Sequence, residues 1–329
     1  MFKINDFKIL DIQYNPNHEI IDYGVQMVGA PLEWGETMGE NIKVGVIDTG
    51  VDYNHIELKN RIKDGINTID GSDFCDNNGH GTHICGIISA EKNGVGVIGV
   101  APKADLYVAK AFDKDGTSNF AAIEKAINWM IDRKVNVVNM SFSSTAGGKI
   151  YTQLIHRLYQ NGISIICAAG NQGEQGYNTI GYPARFAETV AVSAVDINKN
   201  IASFSSKGNS AEICAAGIDI YSTYLDGGYA VLSGTSMAAP IITGAVAILQ
   251  GKGLIRYGRF LHPDEIRLLL NIYTENISGT SGRDLSSGYG LFSFGRITAN
   301  DYVSPPKTSL FNINTNMLNA ALAMIISSL

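Results

Sequence analysis

From residue 42 onward, short uninterrupted apolar runs alternate with longer helix-like segments. The runs are "IKVGVID", "LYVAKAF", "VNVVNMSF", "ISIICAAG" and "TVAVSAV"; the helix-like segments are "GTHICGIISA", "NFAAIEKAINWMIDR", "YTQLIHRLYQNG" and "SMAAPIITGAVAILQGKG". Runs of Val and Ile without polar alternation suit parallel strands covered on both faces by helices. The pattern predicts an α/β fold: a doubly wound, mostly parallel sheet with helices on both faces. No repeat or low-complexity linker interrupts it before about residue 300, so residues 25–298 read as one domain. Residues 1–24 read as an N-terminal extension and 299–329 as a tail, in which "SPPKTSLFNINTN" connects to a short apolar helix, "MLNAALAMIISSL". That helix is expected to pack on the domain; self-association, as in a homodimer, and membrane-surface contact are the alternatives.

Composition narrows the classes. The chain has 329 residues, 45% of them hydrophobic, enough for one large core and too apolar for a disordered protein. A net charge of −6 without a long Lys/Arg run speaks against a nucleic-acid partner. The first fifteen residues offer no apolar core or small-residue cleavage site, so no secretory signal is expected. No run reaches the roughly 18 apolar residues of a membrane span. Cys75, Cys85, Cys167 and Cys214 are irregularly spaced and read as free thiols of a cytoplasmic protein.

In an open parallel sheet, reactive groups gather beyond the carboxyl ends of the strands. Asp48 ends one run, Asn171 follows another, and Ser236 opens a helix. Singly, each motif is weak. Asp48-Thr49-Gly50 lacks the second copy that an aspartic protease needs. His80 and His83 lack a third metal ligand, so His83 reads as a hydrogen-bonded helix residue. "GTSMA" lacks the last glycine of a nucleophile elbow. Gly94, Gly96 and Gly99 have dinucleotide-loop spacing, but Val-Ala-Pro and a strand follow them where a helix should open, so no nucleotide is expected.

Together the segments say more. "VIDTGVD", "NNGHGTHICG", "CAAGNQG" and "SGTSMAAP", in this order, resemble the four signature segments of the subtilisin-like serine proteases, the subtilase family. The stretch "VGAPLEWGETMGENIKVGVIDTGVDYNHIELKN" is most similar to the intracellular subtilisins of Bacillus and its relatives. The order Asp, His, Ser is subtilisin's own known order and not a separate deduction. The resemblance implies a serine endopeptidase acting on protein or peptide substrates through an acyl-enzyme. A serine hydroxyl is a poor nucleophile, so Ser236 needs His80 as base, and Asp48 would hold the imidazole tautomer. Asn171 and the Ser236 N–H would receive the oxyanion, with Thr235 in support, as known from subtilisin itself.

The resemblance also implies a substrate strand added between Ser141-Phe142-Ser143 and a stretch near Asp115 to Ser118. The pocket for the residue before the cut would be walled by Ala168, Ala169 and Gly170 with Gly181 at its base, admitting large apolar side chains; Phe120 and Ile123 would line a pocket upstream. The family usually has Ser-Leu-Gly-Gly where this chain reads "SFSS", so Ser143 is expected to crowd the bound strand. "EKNGVGVIGVAP" resembles the family's calcium loop, which implies structural Ca2+ held by the Asn93 side chain, the carbonyls of Glu91, Val95 and Val97, and the Glu57 carboxylate; a ligand from near the N-terminus stays unassigned. Intracellular subtilisins carry a short N-terminal segment that covers the active site until it is cut away. Here Phe7, Ile9, Leu10, Ile12 and Tyr14 would lie in the groove and Pro16 would set a turn; the alternative is an arm packed on the body or exchanged between subunits. A leader peptidase dedicated to one precursor and a catalytically silent binding protein are the competing functions.

Overall fold

A computed structural model describes residues 2–4, the backbone of 8–13, and residues 18–145 and 147–296. The apolar tail helix, and Phe7, Tyr14 and Pro16 of the extension, lie outside the described residues. The chain opens with β1 (Phe2–Ile4) and β2 (Lys8–Gln13), then short helices α1 (Tyr23–Met27) and α2 (Ala30–Glu33). The body follows as β3 (Lys43–Asp48), β4 (Ile62–Asn67), α3 (His80–Ser89), β5 (Asp105–Lys110), β6 (Thr117–Ser118), α4 (Phe120–Arg133), β7 (Val137–Met140), β8 (Phe142–Ser143), α5 (Lys149–Gln160), β9 (Ser164–Ala168) and β10 (Thr189–Val195). It closes with β11 (Ala211–Ala216), β12 (Ile220–Thr223), β13 (Tyr229–Ser233), α6 (Thr235–Tyr257), α7 (Pro263–Ile272), β14 (Thr274–Glu275) and β15 (Leu291–Phe292).

Nine of these strands form one sheet in the order β14-β15-β11-β10-β9-β7-β3-β5-β4, parallel except where β14 meets β15. The expected doubly wound sheet is therefore present. Its strand order reverses at β3, which pairs with β5 on one side and β7 on the other. Such a switch point opens a crevice beyond the strand ends. Asp48, Lys110 and Ser141 stand there, at or just after the ends of β3, β5 and β7.

Each face of the sheet has its own apolar core. Ile84, Ile88, Val246 and Ile248 of α3 and α6 pack with Val44 and Val46 on one face, and Ile123, Ile127, Met130, Leu154 and Leu158 of α4 and α5 pack with Ile47 on the other. Each fully buried Ile or Leu contributes about 1.5–3 kcal/mol. α6 is apolar all round because it is buried all round; every residue from Thr235 to Gly253 is inside. Its length and composition would let it cross a membrane, which corrects the expectation that no run reaches that length, but 89% of the relevant stretch is buried in the domain. The interrupting Gly, Ser and Thr residues hide it from a strictly apolar count. All four cysteines are free, as expected, and three of them are buried.

Two small antiparallel sheets flank the crevice, ordered β6-β1-β8 and β12-β13-β2. The periodicity did not predict β11, β12 or β13.

Candidate active site

The Asp48 Oδ1 atom accepts from the Thr49 N–H (2.8 Å) and faces His80 Nδ1 at 2.8 Å, with both side chains fully buried. His80 opens α3, whose N-cap Gly79 has no side chain to cap the helix. Asp76 does so instead: its Oδ2 accepts from the Thr82 N–H (2.9 Å) and hydroxyl (2.7 Å), and its Oδ1 from the N–H groups of Asn78 and Gly79. The Thr49 hydroxyl accepts the Gly81 N–H at 2.9 Å. A side chain at Gly81 would collide with the Gly50 carbonyl, so this glycine lets α3 approach the end of β3.

Ser236 lies in the first turn of α6. Pro240, four residues on, has no N–H to give the Ser236 carbonyl. The Ser141 hydroxyl fills that place at 3.0 Å, while the Ser236 hydroxyl donates to the Ser141 carbonyl at 3.1 Å. Ser141 Oγ in turn accepts from Asn139 Nδ2 (2.9 Å), and Asn139 Oδ1 accepts from the Thr243 hydroxyl (2.9 Å). All four side chains are fully buried. Sequence reasoning missed Asn139 and Thr243; the signal for Asn139 was an amide, one of two, inside the otherwise apolar run "VNVVNM".

Asn171 follows β9 and Gly170. Its Oδ1 accepts both the Thr235 N–H (3.0 Å) and hydroxyl (2.8 Å), which leaves the Nδ2 end of the amide directed away from Thr235. Thr235 Oγ1 also takes the Gly170 N–H at 3.1 Å. One threonine thus ties the Asn171 loop to the Ser236 helix. Ala168 and Ala169, which lead into that loop, are fully buried.

The two expected substrate edges are β6 and β8, and the chain's own β1 pairs antiparallel with both. Phe2 lies opposite Ser118, Lys3 opposite Thr117 and Ser143, and Ile4 opposite Phe142; the Ile4 N–H bonds the Gly116 carbonyl at 2.9 Å. Phe2 and Ile4 are buried and Lys3 is exposed, the alternation of a half-buried strand. The Phe2 ring stands edge-on to Phe142 (6.1 Å) and Tyr151 (5.1 Å). Beside it is a cavity of about 610 Å³ lined by Phe120, Ile150 and Tyr151 among others. Phe120 lines this cavity, whereas Ile123 is fully buried in the core.

Two expectations are corrected here. Ser143 does not keep a strand out, because it pairs with Lys3; its Cβ has room because position 181 is glycine, where an added Cβ would stand 3.2 Å from it. The stretch of Ile9, Leu10 and Ile12 runs along β13, with Ile9 opposite Leu232 and Ile12 opposite Ala230, and it is Phe2–Ile4 that lies between the two edges.

The loop after α3 gathers oxygen atoms. Glu57 is fully buried; its carboxylate accepts from the Tyr229 hydroxyl (2.8 Å) and Asn93 Nδ2 (3.1 Å), and burial pushes its pKa up to about 7. Glu19, missed in the sequence, reaches the same loop, its Oε1 accepting the N–H groups of Asn93 (2.7 Å) and Gly94 (2.8 Å). Ile20 bridges to Val97, and the Glu91 N–H bonds the Glu57 carbonyl at 3.0 Å. Among the described residues no three His, Cys, Asp or Glu side chains cluster for a metal, so a cation here would depend on carbonyls such as those of Glu91, Val95 and Val97. His83 has the structural place expected of it. Its Nε2 faces the Ile220 (3.2 Å) and Ala230 (3.0 Å) carbonyls, and burial pulls its pKa down to about 3.

The model of the subtilase family matches residues 39–290. The chain is 40% identical to Subtilisin DY of Bacillus licheniformis over 237 residues, 71% of this chain and 86% of that protein. It is 37% identical to an intracellular serine protease of Paenibacillus polymyxa over 253 residues, 75% of this chain and 78% of that protein. It is 34% identical to the minor extracellular protease Epr of Bacillus subtilis over 291 residues, 88% of this chain and 43% of that protein. With the family's model spanning β3 to β14, the His80 helix and the Ser236 helix among them, the chain belongs to the subtilase family of serine endopeptidases.

Proposed function

We propose that this chain cuts peptide bonds inside the cell with Asp48, His80 and Ser236 as its triad. The observation that carries the reading is the buried 2.8 Å contact between His80 Nδ1 and Asp48 Oδ1 at the end of β3, with α3 packed on the helix that bears Ser236. The Ser236 hydroxyl turns from the Ser141 carbonyl to His80 Nε2, gives up its proton, and attacks the substrate carbonyl. The oxyanion receives hydrogen bonds from Asn171 Nδ2 and the Ser236 N–H. His80 returns the proton to the leaving amine, and water hydrolyses the acyl ester by the same steps in reverse. The intracellular location rests on the similarity to the Paenibacillus enzyme. Cleavage of a peptide library by wild type, compared with Ser236→Ala, tests the activity. A broad profile lost in the variant supports a general endopeptidase, a single cleaved sequence a dedicated leader peptidase, and no cleavage even after removal of residues 1–17 a silent binding protein.

The extension acts as an inhibitory prosegment in this reading. What supports it is that β1 occupies the edge-to-edge position at which an extended substrate would add.

A structural calcium ion would be held by Glu57, Asn93, the carbonyls of Glu91, Val95 and Val97, and by Glu19 as the ligand from near the N-terminus. The residues fit a cation: Glu57 is a buried carboxyl whose charge the protein alone disfavours, and Glu19 is already turned onto the loop. Bound there, the ion would neutralise Glu57 and fasten the N-terminal arm to the loop.

A further inference from the structure

Lys110 ends β5, level with Asp48 on β3, and is only 5% exposed. Its ammonium donates to the Thr49 carbonyl (2.7 Å) and to Asn77 Oδ1 (2.8 Å). Among the described residues it makes no ion pair. Burial pulls its pKa down, against the opposing pull of Asp76, Cys75, Asp70 and Asp113. A buried ammonium held by two neutral oxygens costs the fold free energy that an apolar side chain of equal length would not. Stability therefore does not account for a lysine at this position.

The two oxygens identify what it joins. Thr49 follows Asp48 directly, and its hydroxyl takes the Gly81 N–H; Asn77 lies three residues before His80, beside the Asp76 that caps α3. A charge on a third strand thus ties the end of β3 to the loop that enters α3. The separation of those two segments sets the contact between His80 Nδ1 and Asp48 Oδ1. We infer that Lys110 is a positioning residue for the Asp48–His80 pair, holding the Thr49 carbonyl and the Asn77 amide in register from β5. The inference rests on the proposed triad, and it assigns a role to a residue outside it. Charge-assisted bonds are stronger and shorter than neutral ones, so an ammonium fixes two oxygens more tightly than a neutral donor does.

Lys110→Met keeps the length and removes the charge. In the full chain it should preserve the melting temperature within a few degrees while kcat falls about 10- to 100-fold and KM stays within twofold, the pattern of an interaction needed in the transition state. In a Ser236→Ala background, where no turnover is required, the low-field proton resonance of His80 Nδ1–H should move or broaden on Lys110→Met. Asn77→Ala should lose part of the same kcat, and the double variant should lose less than the product of the two single effects. If Lys110→Met does not fold, Lys110→Gln serves with the same readouts. An unchanged resonance with kcat within twofold of wild type would overturn the inference, as would a kcat loss no larger than the loss of active-site titre. Should the wild type prove inactive even without residues 1–17, the functional reading fails, but the resonance still decides whether Lys110 positions the pair.

Discussion

The catalytic centre and the N-terminal segment meet in one cleft, yet they are held in opposite ways. At the centre, Asp48, His80, Ser141, Ser236, Asn139 and Thr243 are all fully buried and linked by hydrogen bonds that leave each little choice of position. The segment has two short strands, β1 seated between β6 and β8 and β2 at the edge beside β13. A buried polar network is costly to break because each freed group stays desolvated. A strand of three residues is held by few backbone bonds, and on leaving it finds water for each of them. The difference suits the two tasks that the proposed function gives them: a centre that must not move and a cover that must come off.

The comparison breaks most clearly at the oxyanion donor. Asn171→Ala should lower kcat by about 10²–10³, the loss known for removing this donor from subtilisin itself, with KM little changed. Next is Asn139→Ala, which touches no substrate but takes from the Ser141 hydroxyl its donor and from the Thr243 hydroxyl one of its two acceptors, leaving it the Ala239 carbonyl. We expect a loss of about 1–3 kcal/mol in stability, read by denaturant unfolding, and a smaller fall in kcat than for Asn171→Ala. If Asn139→Ala is silent in both, the centre is not held as described.

The cover is tested by removing it. A chain starting at His18 keeps Glu19 on the loop but lacks β1 and β2. Burying Phe2 is worth about 1.5–3 kcal/mol, part of it offset by ordering the segment, so the truncated enzyme should show kcat/KM raised about tenfold or more on a peptide substrate. Equal rates would make β1 a structural strand instead.

The Glu57 loop is expected to affect stability alone, with no change in kcat. A cation that binds only the folded chain stabilises it by about 2.7 kcal/mol at a hundredfold excess over Kd, so chelation should lower Tm and Glu57→Gln should abolish the response. The pH dependence has a definite sign. Burial raises the Glu57 pKa from 4.5 to about 7, so its contribution without calcium is fully present below pH 4.5 and is lost as pH rises through 7. Calcium-free enzyme should therefore melt lower at pH 8 than at pH 5 by a margin that Glu57→Gln removes.

The sequence exposed the parallel sheet because buried parallel strands are continuous apolar runs, and it placed Asp48, Asn171 and Ser236 at the end or start of such runs; His80, and the roles of all four, came only from the resemblance to the subtilase signature segments. It hid what depends on tertiary approach. β12 and β13 are four and five residues long and mix Tyr, Ser and Thr with apolar positions, too short for a period to register. Glu19 meets the Asn93 loop across a sequence separation of 74 residues, and nothing local marks it. Asn139 and Lys110 each appear as an isolated polar interruption of an apolar stretch, which reads locally as noise and becomes meaningful only when the neighbouring groups are known.

The central claim, that His80 activates Ser236, is tested most directly by fluorophosphonate labelling followed by intact mass and peptide mapping. The account predicts one adduct on Ser236 in the truncated wild type, none in Ser236→Ala, and labelling slowed by orders of magnitude in His80→Ala despite an unchanged melting temperature. Labelling of His80→Ala at the wild-type rate, or an adduct on any other residue, would contradict it.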